Sequence, residues 1–215
     1  MGIVDGDFWH LEGVGTPSAN LLITDFHDAE MLVIVSTALG RVIRELGSAE
    51  KIARFRALHG GKPLVRILLE IAAPLGALRW ASEREGWRLD FNVRLDRARC
   101  IEPRHLNLDF GRWVEVVLQV SGSALRRRRV HEVVSSLLSE QPDLRQLCSG
   151  HDIVAIMSVG LRRAIGSRRM AGALPDVLEE GLRMAYDSKD FRKTSLYASA
   201  RAWEARNPPY QLFDA

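Results

Sequence analysis

The sequence predicts an α+β protein that is mostly helical, with a small α/β portion within residues 1–100 and a helical region over 101–215. Three observations predict it. Two short apolar runs near the amino end, Gly2-Ile3-Val4 and Leu21-Leu22-Ile23, each lead into aspartates, at Asp5 and Asp25. Apolar residues then recur at helical spacing through most of the chain. One segment, Trp87 to Asp96, instead alternates apolar and polar residues as a half-buried strand does.

Taken in order, Gly2-Ile3-Val4 suits a buried strand that ends in the acidic turn Asp5-Gly6-Asp7. Residues 8–20 hold Gly13, Gly15, Pro17 and Ser18 and read as a loop before the second strand. From Asp28 to Leu46, Met31, Val35, Ala38, Leu39, Val42 and Leu46 keep the spacing of one buried helix. Gly47-Ser48 stops it, Ser48 opens another, and Gly60-Gly61 ends that one. Lys62 to Glu85 is helical again, with Pro63 in its first turn and a kink or break expected at Pro74, which lacks a backbone donor and crowds the preceding turn. After the alternating segment, helices are expected near 109–120, 125–139, 152–165, 174–186 and 190–205, and Asn207-Pro208-Pro209 closes the last.

The 215 residues are enough to bury a core without metal or disulfide. Two cysteines, Cys100 and Cys148, make no metal or disulfide framework. No apolar run reaches the roughly 18 residues of a membrane span. Met1 to Asp7 carry two acids and no base, unlike a secretory signal, so a cytoplasmic protein is expected. The net charge of +3 hides an asymmetry: residues 1–40 hold six acids and no Lys or Arg, and the rest holds 30 bases against 21 acids. An acidic corner on a basic body suits a divalent cation beside a polyanion.

Asp5 and Asp7 lie two apart after a strand, so on a continuing strand both carboxylates face one side. Such a pair repels itself unless a cation lies between, and oxygen donors of this kind suit Mg²⁺. Asp25 ends the second run, and Asp28 and Glu30 open the following helix. Ligands gather outside the carboxyl ends of strands in open α/β sheets, which makes these five carboxylates the leading site candidate. The blander reading has Asp5-Gly6-Asp7 as a turn and Asp28 as a helix cap, since acids in a first turn favour the helix dipole.

Gly2-Ile3-Val4-Asp5-Gly6-Asp7-Phe8 followed by Leu22-Ile23-Thr24-Asp25-Phe26-His27-Asp28-Ala29-Glu30-Met31 resembles the TOPRIM-like domains of phage-defence effector nucleases encoded beside ABC-type ATPases. More distantly it is similar to overcoming-lysogenization-defect nucleases. Cys148-Ser149-Gly150-His151-Asp152-Ile153, Phe191-Arg192-Lys193-Thr194-Ser195-Leu196-Tyr197 and Trp203-Glu204 carry the resemblance further along the chain. It implies a Mg²⁺- or Mn²⁺-dependent nuclease subunit acting on DNA or RNA, held by an ATPase partner, with room for a homo-oligomer. Asp5 and Asp7 match the D-x-D pair, Asp25 would complete the metal shell, and Glu30 would join Asp5 and Asp7 in catalysis. The family's earlier strand, with its glutamate, has no counterpart before Gly2, so the domain is partial, and Glu12 or Glu30 would stand in. The alternative is a non-catalytic module of the same fold that docks to a partner protein.

Arg126, Arg127, Arg128 and Arg129 form the densest basic run and, with His151, are the candidate nucleic-acid contacts, because guanidinium forks suit phosphate. Against this, such a run is often a solvated helix start, and His151-Asp152 after Gly150 also suits a helix cap. His10 and His27 lie near the carboxylates in sequence. Trp80, Trp87, Trp113, Tyr197 and Trp203 fall at apolar positions and read as core. No phosphate-binding loop, nucleophile elbow or zinc spacing is present.

Overall fold

The computed structural model describes residues 1–91, 97–167 and 174–213. The described chain is α+β and mostly helical, with one two-stranded sheet at its amino end. Strands β1 (Gly2–Val4) and β2 (Leu21–Ile23) run parallel in the register Gly2↔Leu21, Ile3↔Leu22, Val4↔Ile23. The segment between them carries one helical turn, α1 (Trp9–Glu12), closed by Gly13 in the left-handed conformation.

The apolar stretch after Asp28 forms two helices where a single one was expected: α2 (Ala29–Val35) and α3 (Thr37–Leu46). Ser36 makes the break. Its hydroxyl donates to the Val33 carbonyl and accepts from the Ala38 amide, so one side chain ends the first helix and caps the second. Helix α4 (Ala49–Leu58) is capped by Ser48 as its sequence suggests.

Helix α5 (Leu64–Arg84) runs through Pro74 unbroken. The roughly 3 kcal/mol that an interior proline costs is outweighed by a helix buried from Ile67 to Ser82 along most of its length. Gly76 is required there, because a Cβ would lie 2.2 Å from the Leu147 carbonyl oxygen. Around α5 pack α7 (Arg127–Ser139), α8 (Leu144–Leu147) and α9 (Gly150–Arg162), with α6 (Phe110–Val120) beside α7. Ten of the thirteen residues of α9 are buried, which makes it the second spine of the core.

The strand expected at Trp87–Asp96 is absent from its described part, residues 87–91, and the remainder lies outside the described residues. Leu89 is still buried and Arg88 exposed, so the alternation is real. The backbone donors, however, go to side chains: the Leu89 amide to Ser82 Oγ and the Asp90 amide to Ser121 Oγ. A segment pinned this way, with Arg88 at φ 54°, alternates without belonging to a sheet.

Helix α10 (Pro175–Ala185) packs against α3, α9 and α2. The short α11 (Ser188–Phe191) leads to α12 (Ser195–Arg206), which lies on β2 and builds a small second core of Leu22, Leu32, Leu196 and Ala200. Of the aromatics expected in the core, Trp80, Trp113 and Trp203 are buried, whereas Trp87 and Tyr197 are half-buried. No described helix is long and apolar enough to cross a membrane.

Candidate functional site

The last register pair, Val4↔Ile23, puts Asp5 and Thr24-Asp25 at one end of the sheet. Thr24 shapes this corner: its hydroxyl accepts from the Gly6 amide at 2.8 Å and donates to the Phe26 carbonyl at 2.7 Å. Gly6 has no room for a side chain, since a Cβ would lie 2.7 Å from that same carbonyl oxygen. Asp7 follows with φ 42°, a left-handed conformation that aspartate tolerates better than most residues.

Three of the expected site carboxylates end on backbone amides. Asp5 Oδ1 accepts from the Ala29 amide, the first residue of α2, at 3.1 Å. Asp28 Oδ1 accepts from Met31 in the same helix at 2.8 Å, and its Oδ2 accepts from Gly150 at 2.8 Å and from Ser149 Oγ at 2.9 Å. Asp25 accepts from Ser195 at 2.5 Å and from Leu196 at 2.9 Å, at the start of α12. Thus α2, α9 and α12 all aim their amino ends at this corner. The exposed donors and the positive pole of each helix offset the mutual repulsion of the acids.

This bears directly on metal binding by Asp5, Asp7 and Asp25. Both oxygens of Asp25 and one of Asp5 are occupied by amides, while the Asp7 carboxylate is exposed and has no partner among the described residues. Among the described residues, no three His, Cys, Asp or Glu side chains gather in a way that would hold a cation. To take a cation, Asp25 would have to give up both amide bonds and Asp5 one, whereas Asp7 would give up none among the described residues. His10 and His27 brace backbone carbonyls: His10 Nε2 lies 2.8 Å from Thr24 O, and His27 Nδ1 lies 3.1 Å from Asp7 O and 3.2 Å from Gln146 O. Glu12 turns away to Trp80 Nε1, at 2.5 Å, and to Arg84.

The corner meets the Cys148–Ile153 stretch across more than a hundred residues of sequence. Gly150 sits so close to α2 that a Cβ would lie 2.4 Å from the Glu30 Cβ. Glu30 and His151, singled out separately from the sequence, come together here: His151 Nε2 is 3.8 Å from Glu30, and Nδ1 is 2.8 Å from Glu179 of α10. Burial lowers the affinity of His151 for its proton, but the hydrogen bond to Glu179 and the charges of Glu30 and Glu179 outweigh it, so the pKa is raised.

Asp152 is fully buried and forms a two-pronged ion pair with Arg79 of α5. Burial disfavours the Arg79 charge, and attraction to Asp152 more than restores it. Burial likewise raises the Asp28 carboxyl, against the opposing pull of His27 and the amides of Gly150 and Met31. Cys148 is pushed far up by burial and is an inert core thiol. A cleft of about 900 Å³ opens beside these groups, with Phe8, Arg79, Ser149, His151 and Glu179 in its walls.

The arginine run begins α7 and is exposed. Arg127 pairs with Glu115, Arg128 with Glu132 at 2.8 Å, and Arg129 with Glu85 at 2.9 Å, so their charge is largely matched within the chain. Arg126 has no acidic partner among the described residues. Glu179 and Arg79 escaped the sequence reading: one sits in an amphipathic helix and the other in an apolar one, and neither spacing shows what it will meet. Comparison of the chain with protein-family models, curated proteins and solved structures finds no match.

Proposed function

We propose that this chain is a binding module that docks to a partner protein by letting its open two-stranded sheet be extended. The single observation that carries this reading is β1. All three of its residues are exposed, although Ile3 and Val4 are apolar and remain 49% and 37% accessible. Parallel sheets are ordinarily covered on both faces, and two strands alone are marginal in water. The other strand is supported, with Leu22 buried against α2 and α12. On β1, the Gly2 amide and the Val4 carbonyl bond toward β2, which leaves the Ile3 amide and carbonyl pointing outward, without a strand partner among the described residues. The resemblance names an ABC-type ATPase as the partner on which to test this. Co-elution of the purified chain with that ATPase, lost in Ile3→Glu/Val4→Glu, is the expected result. A complex indifferent to the double substitution, or no complex, refutes it.

A second reading, a metal-dependent nuclease subunit of phage defence, is favoured by Asp7. Its carboxylate is unpartnered among the described residues and lies at a strand end two residues from Asp5, in a backbone conformation uncommon for a residue other than glycine. Asp5 and Asp7 would be the donors, Glu30 and His151 would stand nearby, and Arg126 to Arg129 would contact nucleic acid. A bound Mg²⁺ or Mn²⁺ would supply charge stabilisation at a phosphodiester and a more acidic water. Calorimetric titration with either ion, and cleavage assays on DNA and RNA with Asp5→Ala and Asp7→Ala, test it. Absence of metal binding, or cleavage that survives both substitutions, refutes it.

A further inference from the structure

His151 of α9 is placed between carboxylates of two other helices, Glu30 of α2 and Glu179 of α10. We propose that its imidazolium is a proton-operated latch that holds the amino-terminal half of α10 against α2 and α9 and so keeps one wall of the large cleft closed. Pro175, Asp176 and Glu179, all in the first half of α10, line that cleft.

A small, mostly apolar recess of about 80 Å³ lies between α2, α9 and α10, walled by Val33, Val154 and Leu182 and by the charged Glu30, Glu179 and Arg183. The three helices do not close fully on one another beside the latch, so fewer dispersion contacts back it there. The far end of α10 is pinned separately: Arg41 Nη1 donates to the Ala185 carbonyl at 2.7 Å. Release at His151 would therefore free the amino-terminal half first.

The acids nearest the imidazole set the direction of switching, against Arg183 of α10 and Arg162 of α9, which lie at the recess and the cleft. From the α2 side it faces Asp28 and Glu30, and from α10 Glu179, with Asp176 and Arg183 near by. From α5, Arg79 lines the same cleft but is already bound to Asp152. With the proton on, one cation lies between two carboxylates. With it off, Glu30 and Glu179 lose the cation they share, and Glu179 keeps Arg183 at 3.8 Å. The pKa of this group is raised above 6.5, so its stabilisation is complete below that value and is lost as pH climbs through the folded-state pKa.

Amide hydrogen exchange, corrected for the intrinsic rate at each pH, tests the latch on the intact chain. Between about pH 5.5 and about pH 8.5, protection of the α10 amides is expected to fall about two- to fivefold, the span of a partly exposed ion pair, while buried α9 amides hold constant. In His151→Gln the α10 profile is expected to be flat at the high-pH level. An NMR titration of His151 is the second measurement, with Glu179→Gln expected to lower its pKa. A flat α10 profile in the unaltered chain, an unchanged slope in His151→Gln, or a His151 that titrates below 6.5 overturns the proposal.

Discussion

Replacing Asp28 by alanine is the sharpest test of how this molecule is held together. The carboxylate is 6% exposed and takes hydrogen bonds from Met31, Gly150 and Ser149, so it serves the first turns of α2 and α9 at once. Losing one N-cap costs about 1 kcal/mol, and a buried amide left without an acceptor costs about 1–3 kcal/mol. The Ser149 hydroxyl can turn elsewhere. With two amides stranded, Asp28→Ala is expected to lose about 3–5 kcal/mol, a large share of the roughly 5–15 kcal/mol of a folded domain. For a chain of this length that corresponds to a fall in Tm of about 6–20 °C. Urea unfolding gives the free energy directly, and a loss below about 1 kcal/mol would refute the double-cap argument. Asp28→Asn separates shape from charge. It keeps one acceptor, so its deficit should be smaller. Burial raises the Asp28 pKa, and an acid shifted upward stabilises fully below its unfolded value of 3.8 and less as pH rises through its folded pKa. The gap between Asp28→Asn and the unaltered chain should therefore narrow with rising pH, and a widening gap contradicts the assignment.

Arg79→Met leaves Asp152 buried without its guanidinium and is expected to cost about 3–5 kcal/mol, whereas Arg79→Met with Asp152→Leu should recover most of it in the same urea assay. If the double variant is no better than the single, the pair does more than neutralise itself. Asp25→Ala removes two acceptors from the start of α12 and is expected to cost about 1–2 kcal/mol, with faster amide exchange at Leu196 and in the turn that follows. Unchanged exchange there would show that Thr194, which caps Tyr197, holds the helix alone.

Much of the helical body was legible because its signals are local. Ser48 and Asp109 stand where helices were expected to begin and cap them, each accepting from the amide three residues on. The helix expected near 190–205 is instead two, α11 and α12, and Thr194 caps the second. Ser36 was not legible, since the apolar spacing passes through it undisturbed; the break depends on a hydroxyl that serves both helices and on Asp190, which takes hydrogen bonds from Thr37. The segment from Trp87 to Phe91 misled for a related reason. Alternation reports which side chains face inward, not where the backbone donors go, and here they go to Ser82 and Ser121.

The acidic corner shows the same limit at the level of chemistry. Crowded aspartates in the sequence suggest a bound cation, and in the structure Asp5, Asp25 and Asp28 accept from backbone amides. The identity of the neutraliser is a tertiary fact: Asp25 and Asp28 reach amides at Ser195 and Gly150, and neither distance along the chain is encoded in a local pattern. A helix amino end and a divalent cation offer a carboxylate the same sign of charge, so a short acidic motif cannot separate them. What separates them is lone-pair occupancy. An oxygen already 2.5–2.9 Å from an amide must give up that bond to take a metal, as both oxygens of Asp25 would, whereas Asp7 would give up none among the described residues. Asp25 thus supports the start of α12, whereas the Asp7 carboxylate and the second oxygen of Asp5 have no hydrogen-bond partner among the described residues.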